Sequence, residues 1–451
     1  MKILALSHIS ELLGGAERSL LDILDSWSKD HNIQPEFILR EPIKSLAGEL
    51  DKRGWKYHAL RYTFWSETNP PTKAEDLFNH STLNSQAIED IERIIQKFKP
   101  DVVLTNSIVC PWAALAAHFQ KVPHVWIVRE YGDLDHGRIF EIGREKTFED
   151  VGNLSNLVVA NSNTLADHIK QYVNETKVTF LYNPFDIEAV KRQSVEKVPN
   201  PFKDSTSLKL IMTSNIARTK GHKETVEAVG MLNRQGYNVE LCLLGRSGDA
   251  QFSKELDEEV QKYGLKDRVH LPGLVSNVLA YVNLADVGIV ASQREAFGRV
   301  TFEYMLLSKP VVGADSGATP ELVETGKTAF LFKPGDVQSL MAAIKKYADD
   351  RELAQAHGRA GQKRVLALLG GEHNVEALYQ KVELITKGKG QSKPEPINFT
   401  HRWLDYQRNA KEFIKTSGET SLKKMIKMRL RGKAKSAYWR ARSARGKLTG
   451  K

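Results

Sequence analysis

Short apolar runs alternate with amphipathic stretches along most of this chain. In the first half, residues 2–7, 36–39, 102–105, 125–129, 157–160 and 178–181 are apolar nearly throughout, which predicts strands buried on both faces. Stretches with helical spacing, such as residues 87–98, lie between them. Around residues 197–207 the pattern gives way to a polar segment with prolines, which predicts a domain linker. The alternation then restarts, with strands predicted at 208–213, 239–244, 268–271, 287–291, 310–313 and 329–332. Strand–helix alternation of this kind predicts parallel sheets, so the expected body is α/β with two Rossmann-like domains, residues 1–197 and 198–386. A helical stretch at 374–385 follows the Gly370-Gly371 pair and closes the body, while residues 62–85 hold aromatics without a clear period and predict a long loop.

Charge changes this picture at one end. The net charge is +10, yet residues 387–451 alone hold 19 Lys/Arg against 4 Asp/Glu, leaving 46 basic and 51 acidic residues in a mildly acidic body. The basicity therefore belongs to a tail. Cys110 and Cys242 lie in apolar surroundings far apart in sequence and predict buried free thiols in a reducing compartment. His8, Ser10 and Glu11 interrupt the apolar start too early for a secretion signal, and no run reaches the roughly 18 apolar residues of a membrane span. A cytoplasmic protein is expected.

The segment Glu295-Ala-Phe-Gly-Arg-Val-Thr-Phe-Glu303 follows one of the buried runs and leads into a helix predicted over 300–307. Gly298 and Arg299 then fall near a helix N-terminus, where unpaired backbone N–H groups and the helix dipole favour an anion. A carboxylate repels phosphate, so Glu295 and Glu303 are better suited to accept hydrogen bonds from hydroxyls. Phosphate and hydroxyls side by side point to a sugar nucleotide.

Each half of the chain has a further polar turn directly after its first strand. Leu13-Gly14-Gly15-Ala16-Glu17-Arg18 places two glycines where backbone approaches a ligand at a parallel sheet's C-terminal edge, although tight turns use glycine for geometry alone. Ser214-Asn215-Ile216-Ala217-Arg218-Thr219-Lys220-Gly221 carries two cations suited to neutralising a departing diphosphate, or forms an exposed basic turn.

Together these elements resemble the retaining glycosyltransferases of the GT-B fold, family 4, over residues 1–385. The most specific portion is Val269-His-Leu-Pro-Gly-Leu-Val275, Ala285-Asp286, the Glu295–Glu303 motif, Lys309-Pro-Val-Val312, Pro320-Glu321 and Thr325-Gly-Lys327. The resemblance implies two Rossmann-like domains facing a central cleft, with residues 374–385 packing back toward the first. It implies that Glu303 holds ribose hydroxyls and Glu295 the transferred sugar, near the backbone N–H groups of Phe297, Gly298 and Arg299. It also implies that Lys220 neutralises the diphosphate and that the base lies against Gly245-Arg246 and Gly273-Leu274. On the acceptor side, Gly14, Gly15 and Glu17 would face the cleft, with Arg129 and Glu130 where many members carry a histidine. Ser214-Asn215 stands where members often have Gly-Arg, and Arg218 is the candidate replacement.

The reaction this resemblance implies is hexosyl transfer from a UDP- or GDP-linked sugar to a hydroxyl of a glycan, lipid-linked or cell-envelope acceptor. No cofactor is required and no metal is implied: Asp133-Leu134-Asp135-His136 is read as a polar loop. A sugar-nucleotide epimerase of the same fold and a non-catalytic sugar-nucleotide-binding subunit are the alternatives. In the tail, Leu422, Met425, Ile426 and Leu430 recur at helical spacing among lysines and arginines, with Tyr438 and Trp439 after them. That predicts a basic amphipathic helix on an anionic membrane surface, a peripheral association. The same charge is compatible with an anionic glycan, nucleic acid or a solvated tail, and nucleic acid is the least expected of these partners.

Overall fold

A computed structural model describes residues 1–12, 15–388 and 397–399. Gly14 and the candidate amphipathic helix of the tail lie outside the described residues. The chain forms two compact units. The first comprises Met1–Asn161, Ala166–Leu181 and the described residues from Val375 on; the second comprises Ser162–Leu165 and Tyr182–Asn374.

The first unit is built on strands β1 (Lys2–Ser7), β2 (Gln34–Arg40), β3 (Lys56–Leu60), β5 (Val102–Asn106), β6 (His124–Val128), β8 (Leu157–Ala160) and β9 (Val178–Phe180). They form one seven-stranded sheet in the order β3-β2-β1-β5-β6-β8-β9. Every pairing is parallel, with Ile3 level with both Pro35 and Val102. The apolar strand residues are buried because helices cover both faces. A separate antiparallel pair joins β4 (Ser66–Glu67) to β7 (Ile139–Phe140).

Two differences from the pattern expected of the sequence have physical reasons. The edge strand β3 reads Lys-Tyr-His-Ala-Leu and is only partly buried, so it carries no continuous apolar run. The predicted loop 62–85 is helical from Ala74 onward, within a helix that ends at Phe98. Its first turns are polar, but Glu75 and Asp76 suit a helix start, and buried Asn84 takes the Thr63 N–H at 2.8 Å.

The second unit carries β10 (Leu208–Thr213), β11 (Val239–Leu244), β12 (Val269–Gly273), β13 (Val287–Val290), β14 (Val311–Ala314) and β15 (Ala329–Phe332). These form a parallel six-stranded sheet in the order β12-β11-β10-β13-β14-β15. All six predicted strands are present.

The boundary between the units falls earlier than residue 197. Tyr182 donates its hydroxyl to Glu321 at 2.6 Å, and Phe185 stacks on Phe302 at 5.6 Å, which ties this stretch to the second unit. Conversely, the helix Val375–Lys387 belongs to the first unit. Leu378, Tyr379 and Val382 join its core, Trp27 Nε1 donates to the Val375 carbonyl at 3.0 Å, and His31 stacks on Tyr379 at 3.6 Å. No helix of the described residues is long and apolar enough to cross a membrane.

Candidate active site

In an open parallel sheet, ligands bind beyond the strands' C-terminal ends where the strand order reverses. In the second unit that point lies between β10 and β13, which pair with Leu210 level with Val287. The loop 214–221 follows β10, and residues 291–298 follow β13.

Close backbone approach locks these two loops together. Gly221 has φ +77° and packs so tightly that a Cβ added to it would lie 2.4 Å from the Ala291 carbonyl oxygen. The Gln293 N–H donates to the Thr219 carbonyl at 3.0 Å. Gly317, with φ +58°, presses on the backbone of Glu295, where an added Cβ would lie 2.3 Å from the carbonyl oxygen. The Ala318 N–H donates to that same oxygen at 2.8 Å. The outcome is that Lys220 Nζ donates to Glu295 Oε1 at 2.7 Å, both side chains being about one-fifth exposed (21% and 20%).

Behind the loops, Gly288 leaves room for the Tyr304 ring, where an added Cβ would lie 2.1 Å from its Cδ2. Tyr304 Oη accepts the Thr213 N–H at 2.9 Å and so fixes the end of β10. His222 touches Ser214 Oγ at 3.3 Å, and burial pushes its pKa down to about 4, so it stays neutral beside Lys220.

The helix predicted from Val300 runs Arg299–Leu306, with Gly298 in the left-handed region at φ +80° just before it. Glu303, one turn in, accepts from Arg299 Nε at 3.1 Å, and the Arg299 guanidinium lies 4.4 Å from the centre of the Phe185 ring. Phe297 is buried against Phe302 at 4.8 Å, so only its backbone is suited to meeting a ligand. Gly245 and Gly273 are also brought together: the Gly245 N–H donates to the Gly273 carbonyl at 3.2 Å, and a Cβ at Gly245 would meet the Ser214 carbonyl oxygen at 1.9 Å. Glycine is required at Gly245 by that contact.

Arg218 is placed differently from the expectation. Its terminal nitrogens fork onto Glu255 at 2.6 and 2.9 Å, and its guanidinium lies 5.0 Å from the Phe252 ring centre. The helix Ala250–Lys262, which carries both partners, thus takes up the charge of Arg218, the candidate replacement for the phosphate-binding arginine.

The first unit has its own reversal point between β1 and β5. Gly15 opens the helix Gly15–Asp30, and Glu17 is buried in its first turn. Glu17 Oε1 lies 3.2 Å from His8 Nδ1. This contact is not an ion pair. Burial pushes the Glu17 pKa up to about 7, and burial with nearby Arg138, Arg129 and Arg40 pushes His8 down to about 3, so His8 is neutral and Glu17 holds its proton below about pH 7.

Arg129 and Glu130 are internal braces. Arg129 donates to Asn106 Oδ1 at 2.6 Å and to Ser19 Oγ at 2.8 Å. Glu130 accepts the Ile108 N–H at 2.9 Å and the Ser107 hydroxyl, and burial raises its pKa. These bonds hold Ser107 at φ +97°, a left-handed conformation that is costly for a residue with a Cβ.

Asp133 and Asp135 do not converge. Asp135 accepts the N–H groups of Tyr131 and Gly132 at 2.9 and 2.8 Å, while Asp133 pairs with Arg144 at 2.7 Å. Cys110 and Cys242 are buried and free.

Sequence reasoning passed over Tyr304, Gly221, Gly317 and the task of Glu321. The Glu321 carboxylate accepts the Asn163 and Thr164 N–H groups at 2.9 and 2.7 Å and the Tyr182 hydroxyl at 2.6 Å. Its Pro-Glu setting was visible, but its partners are distant in sequence.

Comparison with known proteins fits this geometry. Residues 13–189 match the family model described as Glycosyltransferase Family 4, and residues 193–364 match that described as Glycosyl transferases group 1. Over 233 residues the chain is 25% identical to the N-acetyl-alpha-D-glucosaminyl L-malate synthase of Bacillus anthracis, a match covering 51% of this chain and 60% of that protein. It is 28% identical over 151 residues to the capsular polysaccharide biosynthesis glycosyltransferase CapM of Staphylococcus aureus, covering 33% of this chain and 39% of that one. The chain thus spans about two-fifths to three-fifths of these relatives' lengths.

Among solved structures, a glycosyltransferase from Rickettsia africae superposes with a TM-score of 0.68 at 20% identity, covering 86% of this chain and 99% of its own. HepE of Anabaena, in complex with UDP, gives 0.66 at 22%, covering 86% and 100%. At such identities the likeness establishes the fold, two Rossmann-like units of the GT-B type.

Proposed function

We propose that this chain, a glycosyltransferase of the GT-B fold by both of its domain matches, transfers a hexosyl group from a nucleoside-diphosphate sugar to an acceptor hydroxyl. The observation that carries the reading is the Lys220–Glu295 pair, held at the sheet's reversal point on the loop that leads into the helix carrying Glu303.

A partly exposed ion pair is worth at most about 1 kcal/mol, so a diphosphate can take over the Lys220 ammonium at little cost. Glu295 is then released to accept hydroxyls of the sugar. The first N–H groups of the helix Arg299–Leu306 face the phosphates, and Glu303 accepts the ribose hydroxyls. Gly245 and Gly273 offer backbone groups to the base.

The bond between the anomeric carbon and the diphosphate oxygen breaks on the same face on which the acceptor oxygen bonds, so configuration is retained. The acceptor proton passes to a departing phosphate oxygen, and Lys220 stabilises the charge left on the diphosphate. No carboxylate serves as nucleophile in this scheme: Glu295, once released from Lys220, accepts sugar hydroxyls, and Glu303 accepts those of the ribose. The donor belongs to the second unit and the acceptor to the first, where His8 and Glu17 meet at the reversal point. No cofactor is needed.

UDP is the nucleotide to try first, because the structural neighbour HepE is described in complex with UDP-glucose. GDP is the second choice. A glycan, lipid-linked or cell-envelope acceptor is supported by relatives named for capsular polysaccharide biosynthesis and for lipopolysaccharide core mannosyl transfer. In this reading the basic tail holds the enzyme on the inner face of an anionic membrane. Deleting the residues after Lys387 then abolishes binding to anionic liposomes, and unchanged binding removes that part of the proposal.

The test of the reaction is incubation with a panel of UDP- and GDP-sugars and hydroxyl acceptors, followed by NMR of the product's anomeric centre. A retained linkage formed only with acceptor present supports the proposal. Epimerised donor without acceptor, or tight donor binding without transfer across the panel, overturns it.

A further inference from the structure

A cavity of about 430 Å³ opens at the opposite edge of the second unit's sheet, where β10, β13 and β14 begin. It shares no residue with the donor site. Lys209, Lys309 and Arg351 line it, together with the single carboxylate Asp286 and the side chains of Ser308 and Gln355.

The fold makes this cavity tight on one side. Ser308 turns the chain at φ +55°, and the helix Arg351–Leu369 approaches it so closely that a Cβ on Gly358 would lie 2.0 Å from the Ser308 carbonyl oxygen. That approach sets Arg351 and Gln355, one turn apart at the helix start, against Lys309.

The charges do not balance. Asp286 is already engaged by the Lys209 N–H at 2.9 Å and by Arg351 Nη1 at 3.3 Å. Lys309 reaches only a neutral acceptor, the Asn283 carbonyl at 2.9 Å. Three cations against one carboxylate leave two positive charges around a concave space. Burial lowers the pKa of both Lys309 and Arg351, which is the mark of cations removed from water without full compensation.

We infer that this cavity is a second, non-donor binding site for the phosphate group of a small phosphomonoester or for free phosphate. A phosphate dianion matches the excess of two charges, and a guanidinium beside two ammonium groups suits its oxygens. The volume falls in the range of small-ligand sites, about 300–1,000 Å³, which leaves room for a hexose-sized body beyond the phosphate.

The test is calorimetric titration of the full chain with inorganic phosphate and with glucose 6-phosphate at low salt, using wild type, Lys220→Ala, Lys309→Gln and Lys209→Gln. Saturable binding is expected in wild type and Lys220→Ala alike, weakened about tenfold or more in Lys309→Gln and Lys209→Gln. Tighter binding of glucose 6-phosphate identifies a phosphomonoester, and equal binding identifies free phosphate as sufficient. Absence of saturable binding overturns the inference, as does binding that Lys220→Ala abolishes while Lys209→Gln preserves it. Lys209 sits at the strand's start with its amine exposed, so Lys209→Gln decides the matter if Lys309→Gln fails to fold. Because Lys220 lies outside the cavity, failure of the donor-site reading leaves this result unaffected.

Discussion

Lys220 Nζ and Glu295 Oε1 lie 2.7 Å apart although their residues are 75 positions apart in sequence. Each stands on a loop that follows a parallel strand, and β10 and β13 are neighbours, so sheet order alone brings the loops together. The glycine contacts at Gly221 and Gly317 then fix the pair to within hydrogen-bonding distance. Four consequences can be measured.

Glu303→Ala should weaken nucleotide binding without touching phosphate binding. Hydrogen bonds to a charged acceptor are worth about 1.5–3 kcal/mol, or about 10- to 100-fold in Kd. Titration with UDP should show that loss, while inorganic pyrophosphate binds as it does to wild type. An equal loss for both ligands would place Glu303 on the phosphates and not on the ribose.

Arg218→Ala should leave transfer within about threefold of wild type, because a charge already forked onto Glu255 supplies little to the diphosphate. A loss as large as that of Lys220→Ala would show that Arg218 leaves Glu255 when donor binds.

Gly221→Ala tests the backbone contact. The added methyl would strike the Ala291 carbonyl at a positive φ, so a cost of at least about 2 kcal/mol and a displaced Lys220 are expected. Gly236→Ala is the control: its φ is +89°, but nothing lies within 4 Å of the added Cβ. It should cost about 1 kcal/mol and keep its activity. Denaturant midpoints and transfer rates measured together separate the two variants.

Glu17→Gln should change the pH dependence of stability. The folded-state pKa of Glu17 is raised by burial to about 7, so the native state holds a proton that the unfolded chain gives up near an ordinary glutamate value. Its contribution is complete in acid and is lost as pH rises through about 7. Wild type should therefore lose about 2–3 kcal/mol relative to Glu17→Gln between pH 4.5 and 8. The depressed His8 acts in the opposite sense, losing stability as pH falls toward about 3, but it is common to both proteins. Parallel stability curves for the two proteins would contradict the buried, proton-holding Glu17.

Much of this was legible in the sequence. Strands buried on both faces announce themselves as continuous apolar runs, as β10, β11, β13 and β14 do, while the edge strands β12 and β15 are only partly buried. The partly exposed β3 and the polar first turns of Ala74–Phe98 were not, because their stability comes from neighbours. Lys220, Glu295 and Glu303 stood out by their turn and helix-start settings. The pairing of Arg218 with Glu255 was not legible, because distance along the chain to Lys220 says nothing about a competing carboxylate on another helix. Glu321 and Tyr304 act on partners 157 and 91 positions away, and no local pattern encodes such pairs.

The most direct test is the turnover of Lys220→Ala with the donor sugar that wild type uses, measured at saturating donor. Losing one preorganised donor at a developing charge costs about 3–4 kcal/mol, so kcat should fall about 10²- to 10³-fold while KM changes far less. A Lys220→Ala enzyme that keeps kcat within about fivefold of wild type would contradict the assignment of Lys220 to the departing diphosphate.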